Sequence, residues 1–109
     1  SGRADDVIVR GGENISPGEI EDLLHQHSAI ADTAAVGIPS EEWGEVVALT
    51  VVVATGQSIT EDEIRNHIRE HLRSSRVPEA IHFTLELPYN ETGKLLRRVV
   101  RDWFRHEED

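Results

Sequence analysis

The run Val46–Ala54 is apolar at every position except Thr50. A strand with one wetted face alternates apolar and polar residues, whereas one that is apolar on both faces has to be covered on both. The segment therefore predicts a central strand in a sheet flanked on each side. It is far too short to span a membrane. The opening residues carry no signal-peptide pattern. At 109 residues the chain has room for one domain.

Charge narrows the partners. Asp plus Glu number 21 against 11 Lys plus Arg, a formal net charge of −10. So acidic a surface argues against general binding to nucleic acid or anionic lipid. Without cysteine there is no disulfide framework and no thiolate metal site. The chain also lacks methionine and reads as a processed product or, better, a piece excised from something longer.

Around the central strand the elements follow in order. Val7–Arg10 reads as a short strand and Gly11-Gly12-Glu13-Asn14 as a tight turn. Ser16-Pro17-Gly18-Glu19 reads as a capping box with proline at the first helical position. The helix behind it places Ile20, Leu23 and Leu24 on one face and should end near His27-Ser28. Thr33–Gly37 reads as a strand stopping before Pro39. Thr60-Glu61-Asp62-Glu63 is a second capping box, opening a helix with Ile64, Ile68 and Leu72 on one face. Ile81, Phe83, Leu85 and Leu87 alternate with polar residues and predict a half-buried strand. Leu95, Leu96, Val99, Val100, Trp103 and Phe104 predict a last helix. The expected fold class is α+β: about three main strands plus a short N-terminal hairpin, with three helices packed on the sheet.

Single residues leave alternatives open. Lys94, the only lysine, follows Gly93 in a loop and precedes a helix. It reads either as a solvated surface cation or as a flexible point charge for phosphate. Arg97, Arg98, Arg101 and Arg105 behind it read as a polar helix face or as attraction for an acidic or phosphorylated ligand. Gly11–Asn14 alone is no more than a hairpin turn and lacks the Gly-Lys-Ser/Thr of a Walker loop. Asp5-Asp6 reads as a solvated strand start or a metal pair. Trp43 is an apolar anchor or an exposed stacking face. His25 and His27 lack zinc-site spacing with partners and no HExxH occurs, so no metal is assigned.

Three blocks taken together resemble the adenylate-forming enzymes: acyl- and aryl-CoA synthetases, peptide-synthetase adenylation domains and luciferases. Gly2–Ile8 followed by Gly11–Glu21 is similar to their hinge motif. Val36-Gly37-Ile38-Pro39 with Trp43-Gly44-Glu45 resembles the next block. Leu87–Arg98, containing Asn90-Glu91-Thr92-Gly93-Lys94, resembles the terminal lysine motif. The Gly-Gly-Glu-Asn-Ile spelling is nearest to fatty-acyl and aryl-CoA ligases.

The resemblance implies that residues 1–109 form the C-terminal lid domain of a larger ligase, with residues 1–6 as hinge region. It implies ATP and Mg2+, held mainly by an N-terminal domain, with CoA as co-substrate and a carboxylic acid as substrate. By position, Lys94 is the adenylation lysine, Asp5 the hinge and Arg3 the nucleotide contact. Gly11, Gly12, Glu13, Asn14 and Trp43 match positions along the CoA pantetheine tunnel. Arg76 is the cation retained where relatives hold CoA with aromatic and basic residues. The domain is expected to be cytoplasmic and inactive alone. Two rivals remain: a ligase loading a carrier protein, and a non-enzymatic acidic interaction module of the same fold.

Overall fold

The structure is a computed structural model that describes residues 6–105. Its elements are β1 (Ile8–Arg10), β2 (Glu13–Ile15), α1 (Pro17–His25), β3 (Ile30–Ser40), β4 (Gly44–Val53), α2 (Glu61–His71), β5 (Ala80–Phe83) and α3 (Arg97–Arg105). A single 3-10 turn, Ser74–Arg76, follows α2. The five-stranded sheet runs β2-β1-β4-β3, with β5 also on β4. All pairs are antiparallel except β4 with β5. The α+β class, the three helices and the N-terminal hairpin are as expected.

β4 is the centre of the sheet. It pairs along its length with β3 and on its other side with β1 and β5. Its alternate residues feed two cores. Val47, Leu49 and Val51 join Ile20 and Leu24 of α1 and Ile64 and Ile68 of α2. Ala48 joins Val100 and Phe104 of α3 on the opposite face. Each fully buried isoleucine or leucine contributes roughly 1.5–3 kcal/mol relative to exposure, so the two-sided apolar run is what recruits helices to both faces.

Several boundaries move. β3 extends from the expected Thr33–Gly37 to Ile30–Ser40 and includes Pro39, paired opposite Glu45. As an edge strand, β3 tolerates the missing N–H. The turn after β1 is Gly11-Gly12 alone, because Glu13 and Asn14 already pair with Arg10 and Val9. β5 stops at Phe83, short of the predicted Leu87. Running parallel to β4, it pairs only as far as Val51, although β4 continues to Val53: Thr84 N–H still bonds Val51 O at 3.0 Å, and Leu85 beyond it is 96% exposed. α3 begins at Arg97, not Leu95. Leu95 bridges Tyr89, and Leu96 offers its carbonyl to Val99 and Val100 as the helix starts.

Of the two expected capping boxes, the one at Thr60 and Glu63 forms, with reciprocal bonds of 2.8 and 3.1 Å. The one at Ser16 does not: its side chain caps nothing, and Glu19 turns instead to Arg76 at 2.8 Å. No helix of the described residues is long and apolar enough to cross a membrane.

Candidate functional site

Lys94 sits on the loop between β5 and α3, and the loop is built around Asn90. The Asn90 side-chain carbonyl accepts from the Thr92 N–H at 3.0 Å, the Thr92 hydroxyl at 2.8 Å and the Lys94 N–H at 2.9 Å. The Asn90 N–H returns a bond to Lys94 O at 2.9 Å. Gly93 closes the turn at φ +84°, a conformation that side chains resist. Pro88 O and Leu96 N–H pair at 2.8 Å below it. The lysine backbone is thereby fixed while its side chain stands in solvent. Among the described residues no hydrogen bond or ion pair engages its ammonium.

A concavity of about 250 Å3 adjoins the lysine, lined by Asp6, Lys94, Leu95, Leu96, Arg97, Arg98 and Arg101. Its cations are unequal. Arg97 is committed to Glu21 through Nη1–Oε2 at 2.6 Å and Nη2–Oε1 at 3.1 Å. Burial works to lower its pKa, but the hydrogen bond and charge of Glu21, with the charge of Asp6, together outweigh that and the guanidinium is held above its usual value. Arg101 donates to Gly37 O at 3.2 Å. Lys94 and Arg98 remain exposed toward solvent.

The loop is also moored to β3. Tyr89 OH donates to Asp32 Oδ2 at 2.6 Å, while Asp32 Oδ1 faces His25 Nε2 at 3.0 Å and accepts from the Thr33 N–H at 2.9 Å. Burial presses the Asp32 pKa upward, yet the bonds from Tyr89 and His25 prevail and hold it below the ordinary value. The Tyr89 phenol is pushed up to about 12, by burial first and then by the Asp32 carboxylate.

A second group forms at the β1–β2 hairpin. Gly11 and Gly12 have φ of +57° and +83°. Gly11 N–H donates to Trp43 O at 2.7 Å, and a Cβ on Gly11 would lie 2.7 Å from Trp43 Cε3. The Arg10 guanidinium lies 4.0 Å from the Trp43 ring centroid, a cation–π contact. Trp43, half-buried, is therefore an anchor under the hairpin. Arg76 reaches the same hairpin from the 3-10 turn, binding Glu13 through Nη1 and Glu19 through Nε at 2.8 Å. The hydrogen bond from Arg76 is the main cause of the lowered Glu13 pKa. Asn14 is exposed on β2.

The fold thus joins Gly11 to Trp43 and Glu13 to Arg76, and puts Lys94 on a separate loop. Asp5 and Arg3 lie outside the described residues. Sequence reasoning did not identify Glu21 or Asp32 as anchoring carboxylates. Asp32 could have been noticed, because a carboxylate inside an apolar strand needs partners. Glu21 gave no such signal, its partner being 76 positions away.

The profile of the AMP-binding enzyme C-terminal domain matches residues 19–94, and the chain belongs to that family. It is 42% identical over 107 residues, 98% of its length, to a long-chain-fatty-acid–CoA ligase of Salmonella typhimurium, of which it covers 19%. It is 43% identical over 99 residues, 91% of its length, to a 2-succinylbenzoate–CoA ligase of Bacillus cereus, covering 20% of that protein. Among solved structures, an acyl-CoA synthetase of Brucella canis superposes with a TM-score of 0.87 at 33% identity, over 99% of this chain and 20% of that one. The chain spans about a fifth of the length of the curated relatives it matches.

Proposed function

We propose that this chain is the lid of an ATP-dependent, AMP-forming acid–CoA ligase and works against a larger N-terminal domain that holds nucleotide and acid. The observation that carries the reading is Lys94: a solvated ammonium on a backbone fixed by Asn90, beside a cationic concavity. Lids of this family serve two half-reactions. In the first, the acid's carboxylate oxygen attacks the α-phosphorus of ATP and pyrophosphate leaves with the electrons of the broken P–O bond. Lys94 stabilises the negative charge gathered between carboxylate and phosphate. Mg2+, bound by the N-terminal domain, would neutralise the phosphates.

In the second half-reaction the lid turns about Asp5, and the CoA thiol attacks the acyl carbonyl and expels AMP. The Gly11–Asn14 hairpin then borders the pantetheine arm. Open space beside Gly12, where an added Cβ meets nothing within 4 Å, suits the passage of a thin ligand. Trp43 supports that hairpin from below. Arg76, the position matched to CoA binding, is bound to Glu13 through Nη1 and to Glu19 through Nε, and in this reading it holds the hairpin that the pantetheine arm passes. Arg3 approaches the nucleotide. The protein acts in the cytoplasm.

Relatives named for a long-chain fatty acid and for an aromatic acid are similarly identical to this domain, which supports CoA ligation without selecting the acid. The test is AMP release by the full-length protein with ATP, Mg2+ and a panel of fatty and aromatic acids, with and without CoA. CoA-dependent AMP release that collapses in Lys94→Ala is expected, as is silence of the 109-residue chain alone. AMP release dependent on a carrier protein and not on CoA moves the acceptor. No release with any acid rejects the ligase reading in favour of an interaction module.

A further inference from the structure

The outer face of α2 carries a histidine pair that the lid chemistry does not use. His67 and His71 stand one helical turn apart, and Glu70 lies between them on the same side. One ligand atom from each of the three lies within 4.8 Å of the others. The two imidazole centroids are 4.7 Å apart. A zinc ion, with ligands at about 2.0–2.1 Å, would draw such a set inward on itself. We propose that His67, Glu70 and His71 bind a divalent late transition-metal ion, of the zinc, nickel and copper group that imidazole and carboxylate donors favour.

The hydrogen bonds arrange the donors. His71 Nδ1 lies 2.9 Å from His67 O, and since a carbonyl only accepts, Nδ1 carries the hydrogen and leaves the Nε2 lone pair outward. A backbone carbonyl behind a ligand histidine is the usual way its ring is aimed at a metal. His27 backs the other ring, edge-on to His67 at 5.1 Å. His27 Nδ1 accepts from the Ala29 N–H at 3.0 Å, so its neutral ring carries hydrogen on Nε2 and it is a positioning residue, not a ligand. Arg69, the neighbouring cation, is drawn aside to Asn66 at 2.6 Å.

The ligands occupy the last turns of α2, directly ahead of the 3-10 turn that carries Arg76. A bound ion would tie that turn down and stiffen the segment holding the hairpin. The site is independent of the ligase reading.

The test is a zinc titration of the full chain, any affinity tag removed, followed by calorimetry and thermal melting. One equivalent of zinc and a melting temperature raised by zinc and restored by chelator are expected. His67→Gln and His71→Gln should each weaken binding at least about tenfold, with a smaller loss for Glu70→Gln. His25→Gln, on another element, should bind as the parent does. In the unsubstituted chain, the ring carbon resonances of His67 and His71 should shift with zinc while those of His82 stay, a readout independent of any variant's folding. Absence of saturable binding, or binding undiminished in the His67→Gln/His71→Gln double variant, overturns the site.

Discussion

Arg97 and Glu21 meet in a two-point contact across 76 positions of sequence, and Ala35 sits between them. Glu21 Oε2 accepts from the Ala35 N–H at 2.9 Å, and Arg97 Nη1 donates to Ala35 O at 2.9 Å. The pair therefore satisfies the outer edge of β3 as a further strand would, and ties α1, β3 and α3 together. The side chains are only 17% and 11% exposed. Removing one partner leaves a charge with little solvent. Arg97→Met should cost roughly 3 kcal/mol in urea unfolding. The Glu21→Gln/Arg97→Met double variant should lose less than the sum of the two single changes. Additive losses would mean that the pair is not the unit described.

Tyr89 is the only tyrosine in the sequence, so tyrosinate absorbance reports on it alone. Its ionisation should occur near 12, above the ordinary 10.0. The folded chain holds this proton more tightly than the unfolded chain. The associated stability is complete below pH 10 and is lost as pH rises from about 10 to about 12. Asp32→Asn removes the carboxylate that opposes the phenolate, and the titration should move back toward 10. A titration at the ordinary value in the parent chain would show that the lysine loop is not moored through Tyr89.

Gly11 and Gly12 separate two costs of adding a methyl group. Both have positive φ, but only at Gly11 would the Cβ meet the Trp43 ring, at 2.7 Å. Gly12→Ala should cost about 1–2 kcal/mol through backbone strain alone. Gly11→Ala should cost more, because Trp43 has to move as well. Equal melting temperatures for the two variants would count against Trp43 as the hairpin's anchor.

Arg76 offers a functional contrast with Lys94. In Arg76→Ala, Glu13 and Glu19 lose their shared cation and repel each other, loosening the hairpin from the 3-10 turn. In the full-length protein, thioester formation should fall more than adenylation, with an increased KM for CoA. The reverse ordering would separate Arg76 from the CoA-facing surface.

What could be read from the sequence follows the range of the interactions. The Val46–Ala54 run announced a central strand because its residues answer to both cores. Thr60 and Glu63 cap α2 as written because nothing distant competes for them. Ser16 and Glu19 carry the same spelling and fail, because Arg76, 57 residues on, claims the glutamate. The alternation through Leu87 was genuine in sequence, but pairing with β4 ends at Phe83 opposite Val51, and Leu87 is buried instead with Val100 and Phe104 of α3. At the site, Asn90, Gly93 and Lys94 could be read together because the loop closes on itself. The carboxylates that anchor its surroundings, Glu21 and Asp32, depend on contacts that exist only once the sheet has formed.

The central claim is that one lid supplies different residues to two reactions. The most direct measurement takes the full-length protein with Lys94→Ala and assays the halves separately: acyl-adenylate formation from acid and ATP, and thioester formation from supplied acyl-adenylate and CoA. Adenylation should fall roughly 10²–10³-fold, about 3–4 kcal/mol of lost transition-state stabilisation. Thioester formation should stay within a few-fold of the parent. Equal loss in both halves would contradict the account.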